Sequence, residues 1–201
     1  TELRIRLRAT QRNASVFSPD SRYAVEHDTM DTTFRSMYLG LSAFLDANTE
    51  RRELLLGQRP PRFDSSFDEA IALTGDDFER VALKAESARD YFLLVGPPGT
   101  GKTSRALRRM VEHFYAASSM QILLLAYTNR AVDEICQSLS SITLGIDYIR
   151  VGSELSCDVR FRGHLLENIL AECNSRREVN IRMADCRVYV GTVASIAAKA
   201  E

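Results

Sequence analysis

The stretch Tyr91-Phe92-Leu93-Leu94-Val95-Gly96-Pro97-Pro98-Gly99-Thr100-Gly101-Lys102-Thr103 decides how the rest of this chain is arranged. Its apolar first half predicts a buried strand, and a helical pattern follows its last two residues. A strand, a glycine-rich turn and a helix that begins with a Lys-Thr pair form a phosphate-binding loop. The glycines allow backbone N–H groups to turn toward a phosphate chain, and the helix N-terminus adds a partial positive charge.

The residues of this loop have distinct expected roles. Lys102 is expected to reach the β- and γ-phosphates of a nucleotide, and Thr103 to bind Mg²⁺ through its hydroxyl, so these two are the candidate catalytic residues. The candidate nucleotide-binding residues are Gly96, Pro97, Pro98, Gly99, Thr100, Gly101, Lys102, Thr103 and Ser104. The alternative is a glycine-rich turn that binds nothing, but the glycines, the Lys-Thr pair and the flanking patterns all fit the phosphate-binding loop.

The bulk composition is ordinary for a globular protein. A length of 201 residues predicts one domain, or one domain with a small appendage. The net charge of -1 excludes a uniformly basic nucleic-acid binder but not a local basic patch. The four cysteines are scattered, which predicts reduced thiols rather than a metal site. No apolar run is long enough to span a bilayer and no signal-peptide pattern is present, so we expect a soluble cytoplasmic protein that does not bind membranes.

A proline pair predicts where the chain divides. Arg59-Pro60-Pro61-Arg62 interrupts regular structure, and residues 1–63 are predicted to form an accessory α+β segment. The elements predicted within it are strands over residues 3–8 and 23–27, a helix over residues 32–47 and a short buried segment at residues 54–56.

Residues 64–201 are predicted to form an α/β domain. Four apolar strands are expected, over residues 91–95, 121–126, 146–151 and 186–190. Helices are expected over residues 67–88 with a break at 74–76, over residues 104–115 and 129–139, within residues 161–173 and over part of 174–185. Near-continuous apolar strands that alternate with helices are typical of a parallel sheet covered on both faces, which is a three-layer architecture.

A second group of polar residues follows the second central strand. Thr128 and Asn129, with Arg130 after them, open a helix whose donors can hold an external phosphate, including one in a nucleic-acid backbone. Gly191 and Thr192 present a similar edge at the end of another strand. Two such sites beside a nucleotide could bind a single strand there. Simple helix capping explains Thr128 and Asn129 equally well, so the spacing leaves both interpretations open.

The order of these motifs resembles the first RecA-like domain of superfamily 1 helicases. The similarity covers about residues 67–201 and is carried by the glycine-rich loop, residues 128–133, Arg150-Val151-Gly152 and Gly191-Thr192. It is greatest to the 5′-to-3′ branch, which contains the nonsense-mediated-decay helicase and the Okazaki-fragment nuclease-helicase. The resemblance implies an incomplete P-loop NTPase fold that binds ATP and Mg²⁺ at the loop. It also implies that single-stranded DNA or RNA is bound through Thr128, Asn129, Arg130, Gly191 and Thr192.

The sequence departs from this family in two places. Residues 76–80 contain no glutamine that would read adenine, although Glu79 or Arg80 stands near that position. The acidic motif that the family uses for Mg²⁺ does not follow Ser195, and Asp147 lies at the wrong end of a strand for that role. These departures predict a fragment that hydrolyses little ATP by itself and whose partner is the missing remainder of the helicase.

Two other functions are open from the residues alone, because many classes of enzyme use this loop. A small-molecule or nucleotide kinase would need a lid and an acceptor site, and the sequence has no arginine-rich lid. A nucleotide-sensing module that docks a partner without hydrolysis would use the accessory segment as its interface. The helicase is favoured because it accounts for Thr128 and Asn129 as well as for the loop.

Overall fold

The computed structural model describes residues 32–197. The strands predicted over residues 3–8 and 23–27 therefore lie outside the described residues. The chain separates between Gln58 and Arg59 into two compact units. The assignment of residues 1–63 to an accessory segment stays a prediction.

The described part of the first unit contains two helices. Helix α1 spans Thr32–Asp46, which confirms the predicted helix, and α2 spans Thr49–Leu55. The side chain of Asn48 caps α2 by accepting a hydrogen bond from the Arg51 backbone N–H at 2.8 Å. The predicted buried segment at residues 54–56 is wrong, since Leu55 and Leu56 are each 60% exposed. These leucines end a helix of only seven residues that buries none of its own side chains.

Short helices precede the glycine-rich loop in the second unit. A 3₁₀ turn over Ser65–Phe67 leads into α3, Asp68–Leu73, and α4 spans Asp77–Ser87. The Asp76 carboxylate caps α4 by accepting hydrogen bonds from the backbone N–H groups of Phe78 and Glu79, at 2.7 and 3.3 Å. The predicted helical region with a break before α4 is confirmed.

A three-stranded parallel sheet organises this unit. Its strands are β1, Ile122–Ala126, β2, Tyr148–Val151, and β3, Val188–Thr192, in the order β1-β3-β2. The register places Ala126 beside Thr192. The carboxyl ends of β1 and β3 therefore lie together at one edge of the sheet, as the sequence predicts.

Helices and turns connect the strands. They are a π-helical turn over Lys102–Leu107, α5 over Arg108–Ala117, α6 over Asn129–Ser140, 3₁₀ turns over Glu154–Ser156 and Val159–His164, α7 over Leu166–Ala171, α8 over Arg176–Asp185 and α9 over Val193–Ala197. The helix predicted within residues 161–173 is confirmed as α7, which begins only after Leu165 because Leu165 is extended and forms a parallel bridge with Arg150. No helix within residues 32–197 is long and apolar enough to cross a membrane.

Helices pack on both faces of the sheet, although Leu123 of β1 stays 52% exposed, which confirms the incomplete three-layer α/β fold. Successive strand side chains point to opposite faces. Tyr148 and Val188 therefore join one apolar cluster with residues of α5 and α6. Ile149 and Tyr189 join a second cluster with residues of α7 and α8 on the other face.

The strand predicted over residues 91–95 is wrong. This segment has no regular secondary structure, and Leu93 and Val95 are 75% and 93% exposed. A strand must pair its backbone N–H and C=O groups with a neighbour. Within residues 32–197 the three strands form ladders only with one another, and residues 91–95 take part in neither ladder. This apolar run therefore leads into the loop without regular backbone pairing.

Candidate functional site

The glycine-rich loop depends on two residues with positive φ. Gly99 has a φ of 80° and Gly101 a φ of 84°, a conformation that side-chain-bearing residues rarely adopt. A Cβ on Gly96 would lie 3.0 Å from the Thr100 hydroxyl oxygen. That hydroxyl donates a hydrogen bond to the Pro97 carbonyl at 2.8 Å, which closes the turn. The loop therefore has the tight backbone that a phosphate-binding loop requires.

Lys102 folds back over this loop. Its ammonium group donates hydrogen bonds to the backbone carbonyl oxygens of Gly96 and Pro97, the second at 2.6 Å. Behind it, the N–H groups of Arg105 and Ala106 both donate to the Gly101 carbonyl at 2.9 Å, so the helix starts as a wide π-helical turn. A positive charge thus lies at the mouth of the loop.

An open cleft of about 710 Å³ separates the loop from α6. One wall belongs to the loop and to the turn after it. The other belongs to α6 and to the segment before α7. Its lining residues are Pro98, Gly99, Gly101, Lys102, Thr103, Ser104, Arg130, Asp133, Glu134, Gln137, Ser138, Asp158 and Arg160. The structure therefore brings Thr103 and Arg130, which the sequence assigns to different ligands, to opposite walls of one cleft.

Each of the three carboxylates that line the cleft forms an ion pair with an arginine. Asp133 binds Arg150, Glu134 lies 3.8 Å from Arg130, and Asp158 binds Arg160 at 3.0 Å. The side-chain and backbone hydrogen bonds from Arg160 lower the pKa of Asp158 to about 2.

The start of α6 is exposed at the edge of the sheet. Thr128 accepts a hydrogen bond from the Ala131 backbone N–H at 3.2 Å through its side-chain oxygen, so it caps the helix. Asn129 is exposed, and the Arg130 side chain is 91% exposed. The capping interpretation of Thr128 therefore holds, while its exposed neighbours leave the helix N-terminus open to an external anion.

Gly191 and Thr192 lie at the same edge but are buried. Thr192 is 7% exposed, and its hydroxyl accepts a hydrogen bond from the Ser195 N–H at 3.1 Å, which caps α9. Gly191 packs against β2 and α9, where no side chain fits. Both residues have a structural role, which makes them less accessible to a ligand than Asn129 and Arg130.

Helix α4 borders the loop and carries Glu79 and Arg80, which stand near the position where the resembled family has an adenine-reading glutamine. The central carbon of the Arg105 guanidinium lies 4.0 Å from the centroid of the Phe78 ring, and the same ring lies close to Gly101. The Glu79 carboxylate lies 2.8 Å from His113 and 3.1 Å from Arg109, so it faces α5. Arg80 pairs with Asp77 at 2.7 Å and does not reach the loop wall of the cleft.

Sequence reasoning missed the residues that complete the cleft. Asp158 caps the 3₁₀ turn over Val159–His164 and Arg160 lies in that turn, just before the stretch predicted to contain a helix. Arg160 donates to Gln137 on α6 at 2.8 Å. The sequence offered one signal for this turn, which is the Asp-x-Arg pattern of a capped short turn. In the structure the Asp158 carboxylate accepts a hydrogen bond from the Arg160 backbone N–H at 2.9 Å. Only the fold places this turn beside α6.

Comparison with known proteins identifies relatives of this chain. A family model described as an AAA domain matches residues 74–189. The DNA replication ATP-dependent helicase/nuclease JHS1 of Arabidopsis thaliana is 33% identical over 143 residues, which are 66% of this chain and 10% of the plant protein. The DNA replication ATP-dependent helicase/nuclease DNA2 of Homo sapiens is 26% identical over 156 residues, which are 70% of this chain and 14% of the human protein.

A further relative is named for a different nucleic acid. The putative ATP-dependent RNA helicase ECM32 of Saccharomyces cerevisiae is 32% identical over 108 residues, which are 51% of this chain and 9% of the yeast protein. The matched region is 9% to 14% of these three relatives' own length.

Proposed function

The chain belongs to the AAA domain family, and we propose that it is the nucleotide-binding part of a superfamily 1 helicase that acts inside the cell. In this proposal the loop of residues 96–104 binds ATP with Mg²⁺ as a Walker A motif, and the exposed start of α6 binds single-stranded nucleic acid. The whole protein would couple ATP hydrolysis to movement along that strand.

The shared cleft is the observation that carries this proposal. One wall holds Lys102 and Thr103, and the other is α6, whose N-terminus carries Asn129 and Arg130. A helix that borders a nucleotide and also presents its N-terminus to solvent can respond to both ligands. The relatives named as ATP-dependent helicases favour a motor over the kinase alternative.

The residues of the loop fit a magnesium-bound triphosphate. Gly99 and Gly101 supply the backbone conformation, Lys102 supplies the charge, and Thr103 lies half-buried on the cleft wall with a hydroxyl suited to Mg²⁺. Mg²⁺ neutralises charge on the phosphates when it is bound. Because the three carboxylates on the described cleft wall are already paired with arginines, we expect the 201-residue chain to bind ATP but to hydrolyse little of it.

Nucleotide binding is tested on the 201-residue chain with a fluorescent ATP analogue and Mg²⁺. Lys102→Ala should weaken nucleotide binding by about tenfold or more, because it removes one charge-assisted hydrogen bond and such a bond contributes about that factor to the affinity. Lys84→Ala is the matched control, because Lys84 is an exposed lysine on α4 that does not line the cleft. Equal affinities for both variants and the wild type would contradict the assignment of the loop.

Strand binding is tested by the fluorescence anisotropy of labelled oligothymidine and oligouridine. Arg130→Ala should weaken binding several-fold and reduce its dependence on salt by roughly one counterion. Arg177→Ala removes the same charge from an exposed site on α8 and should have no such effect. The ratio of the two affinities measures whether this chain prefers DNA or RNA, a preference that its sequence leaves open because backbone contacts do not discriminate between them.

The complete protein provides the test of motor activity. Its ATPase should be stimulated by single-stranded DNA or RNA, and Lys102→Ala should abolish that stimulation. An unstimulated ATPase would contradict the helicase. Nucleotide-dependent binding of a partner without hydrolysis would favour the docking module instead.

A further inference from the structure

Arg150 is the largest fully buried side chain among the described residues, at 1% exposure, although it is charged. It lies on β2 and reaches α6, where its Nη1 donates to the Asp133 carboxylate. Its Nη2 donates to the Ser156 carbonyl at 3.1 Å. One guanidinium therefore joins the sheet, α6 and the loop after β2.

Burying this ion pair costs desolvation free energy, so the pair is a poor source of stability for the core. The Arg150 Nε has no hydrogen-bond partner in the described structure, and a buried donor left unpaired opposes folding. Replacing a buried ion pair by apolar residues of similar size is often neutral or stabilising, whereas the guanidinium fork fixes direction as well as distance. The geometry therefore favours an orienting role for Arg150 over a role in stability.

A second arginine reinforces the same junction. Arg160 donates to Gln137, one turn beyond Asp133 on α6, and is itself held by both oxygens of Asp158 at 3.1 and 3.0 Å. The Asp158 backbone N–H in turn approaches the Asp133 carboxylate at 3.4 Å. Two consecutive turns of α6 are thus bound to the segment that follows β2.

We propose that Arg150 is a positioning residue for strand binding: through Asp133 it fixes the rotation and height of the first turn of α6. Asp133 lies one turn after Asn129, so a shift of Asp133 would move the exposed N–H groups and Arg130 with it. The inference rests on the proposed function, because it assigns a purpose to the strand-binding end of this helix. Arg150 itself is buried and does not touch the strand.

The test replaces both partners of the buried pair in the 201-residue chain. The Arg150→Met, Asp133→Leu variant removes the ion pair without leaving an unpaired charge. The Arg182→Met, Asp147→Leu variant is the control, because it removes one arginine and one aspartate from a half-exposed pair at 3.0 Å. Three quantities are compared with the wild type: the midpoint of thermal unfolding, hydrogen exchange of the Ala131 and Val132 amides, and affinity for oligothymidine and oligouridine.

The buried-pair variant should keep the wild-type midpoint or exceed it. Its two amides should exchange about tenfold faster and its strand affinity should fall about fivefold, while the control variant matches the wild type. Arg150→Lys keeps the charge but loses the fork, so its exchange and its affinity should be intermediate.

Other outcomes separate the two proposals. If the amides exchange faster but the wild type binds neither oligonucleotide, the positioning of α6 stands and the proposed strand binding fails. Wild-type exchange and wild-type affinity in the buried-pair variant would overturn the positioning role. Failure of that variant to fold would also overturn it, since the pair would then serve stability.

Discussion

Gly191 of β3 lies so close to Val151 of β2 that a Cβ on the glycine would be 3.0 Å from the valine carbonyl oxygen. The two residues are paired in the parallel register. On the other side, Ile196 of α9 would lie 3.1 Å from the same Cβ. Packing between two strands and a helix therefore requires glycine here, independently of any ligand.

Gly191→Ala should lower the free energy of unfolding by about 1–3 kcal/mol, because the added methyl group meets a backbone atom that cannot move without separating the strands. Urea unfolding monitored by circular dichroism measures the change. Gly163→Ala is the control, since nothing lies within 4 Å of its added Cβ, and it should stay within about 0.5 kcal/mol of the wild type. Equal effects at the two glycines would contradict the close approach.

Gly101→Ala should weaken both folding and nucleotide binding. A positive φ costs a residue with a Cβ roughly 1–2 kcal/mol, and the added methyl group would also lie 3.3 Å from the Arg105 side chain. Gly145 has a φ of 63° with open space around it, so Gly145→Ala carries the same backbone cost outside the loop. Thermal unfolding should be affected in both variants, but only Gly101→Ala should lose affinity for the fluorescent ATP analogue.

The ion pair between Asp158 and Arg160 should contribute to stability above about pH 4 and lose that contribution in acid. The pKa of Asp158 falls from 3.8 to about 2 in the folded protein, so folding favours its charged form. The contribution is complete above the unfolded pKa and disappears as the pH falls through about 2. The difference in unfolding free energy between the wild type and Asp158→Asn should therefore be constant from pH 6 to about 4.5 and shrink below that. A difference that does not change down to pH 2 would rule out the depressed pKa.

Cys173 should be the first of the four cysteines to react with iodoacetamide in the native protein. Burial raises the pKa of Cys136 to about 11 and also raises the pKa of Cys157 and Cys186, which disfavours their reactive thiolates. Cys173 is only half-buried. Mass spectrometry of samples taken over time at pH 8 should show rapid single labelling, which Cys173→Ser removes. Rapid labelling of two or more sites would contradict the burial of the other three thiols.

Local patterns predicted many of the helices and strands. Apolar periodicity indicated α1 and α4, because a buried face imposes that spacing on a helix. Apolar stretches indicated three strands of the parallel sheet, and the polar pair Thr128-Asn129 indicated the start of α6. The same reasoning failed for residues 91–95 and for Leu55 and Leu56. An apolar run shows that burial is favourable, but it does not show which partner covers it.

The predicted functional residues met different outcomes. The loop of residues 96–104 has the expected backbone, and the matched relatives confirm the resemblance to superfamily 1 helicases. The roles of Lys102, Thr103, Thr128, Asn129, Arg130, Gly191 and Thr192 in ligand binding stay predictions. The fold distinguishes among them, since Asn129 and Arg130 are exposed whereas Gly191 and Thr192 are engaged in packing and capping.

The sequence by itself determined the glycine-rich loop and the family, because a phosphate-binding turn needs particular residues at consecutive positions and leaves a local signature. Only the tertiary structure decided that α6 and the turn of Asp158 and Arg160 form the opposite wall of its cleft. It also decided that the buried guanidinium of Arg150 forms an ion pair with Asp133. These contacts join residues 17 to 25 positions apart, and their geometry depends on strand order and helix packing, which no local pattern specifies.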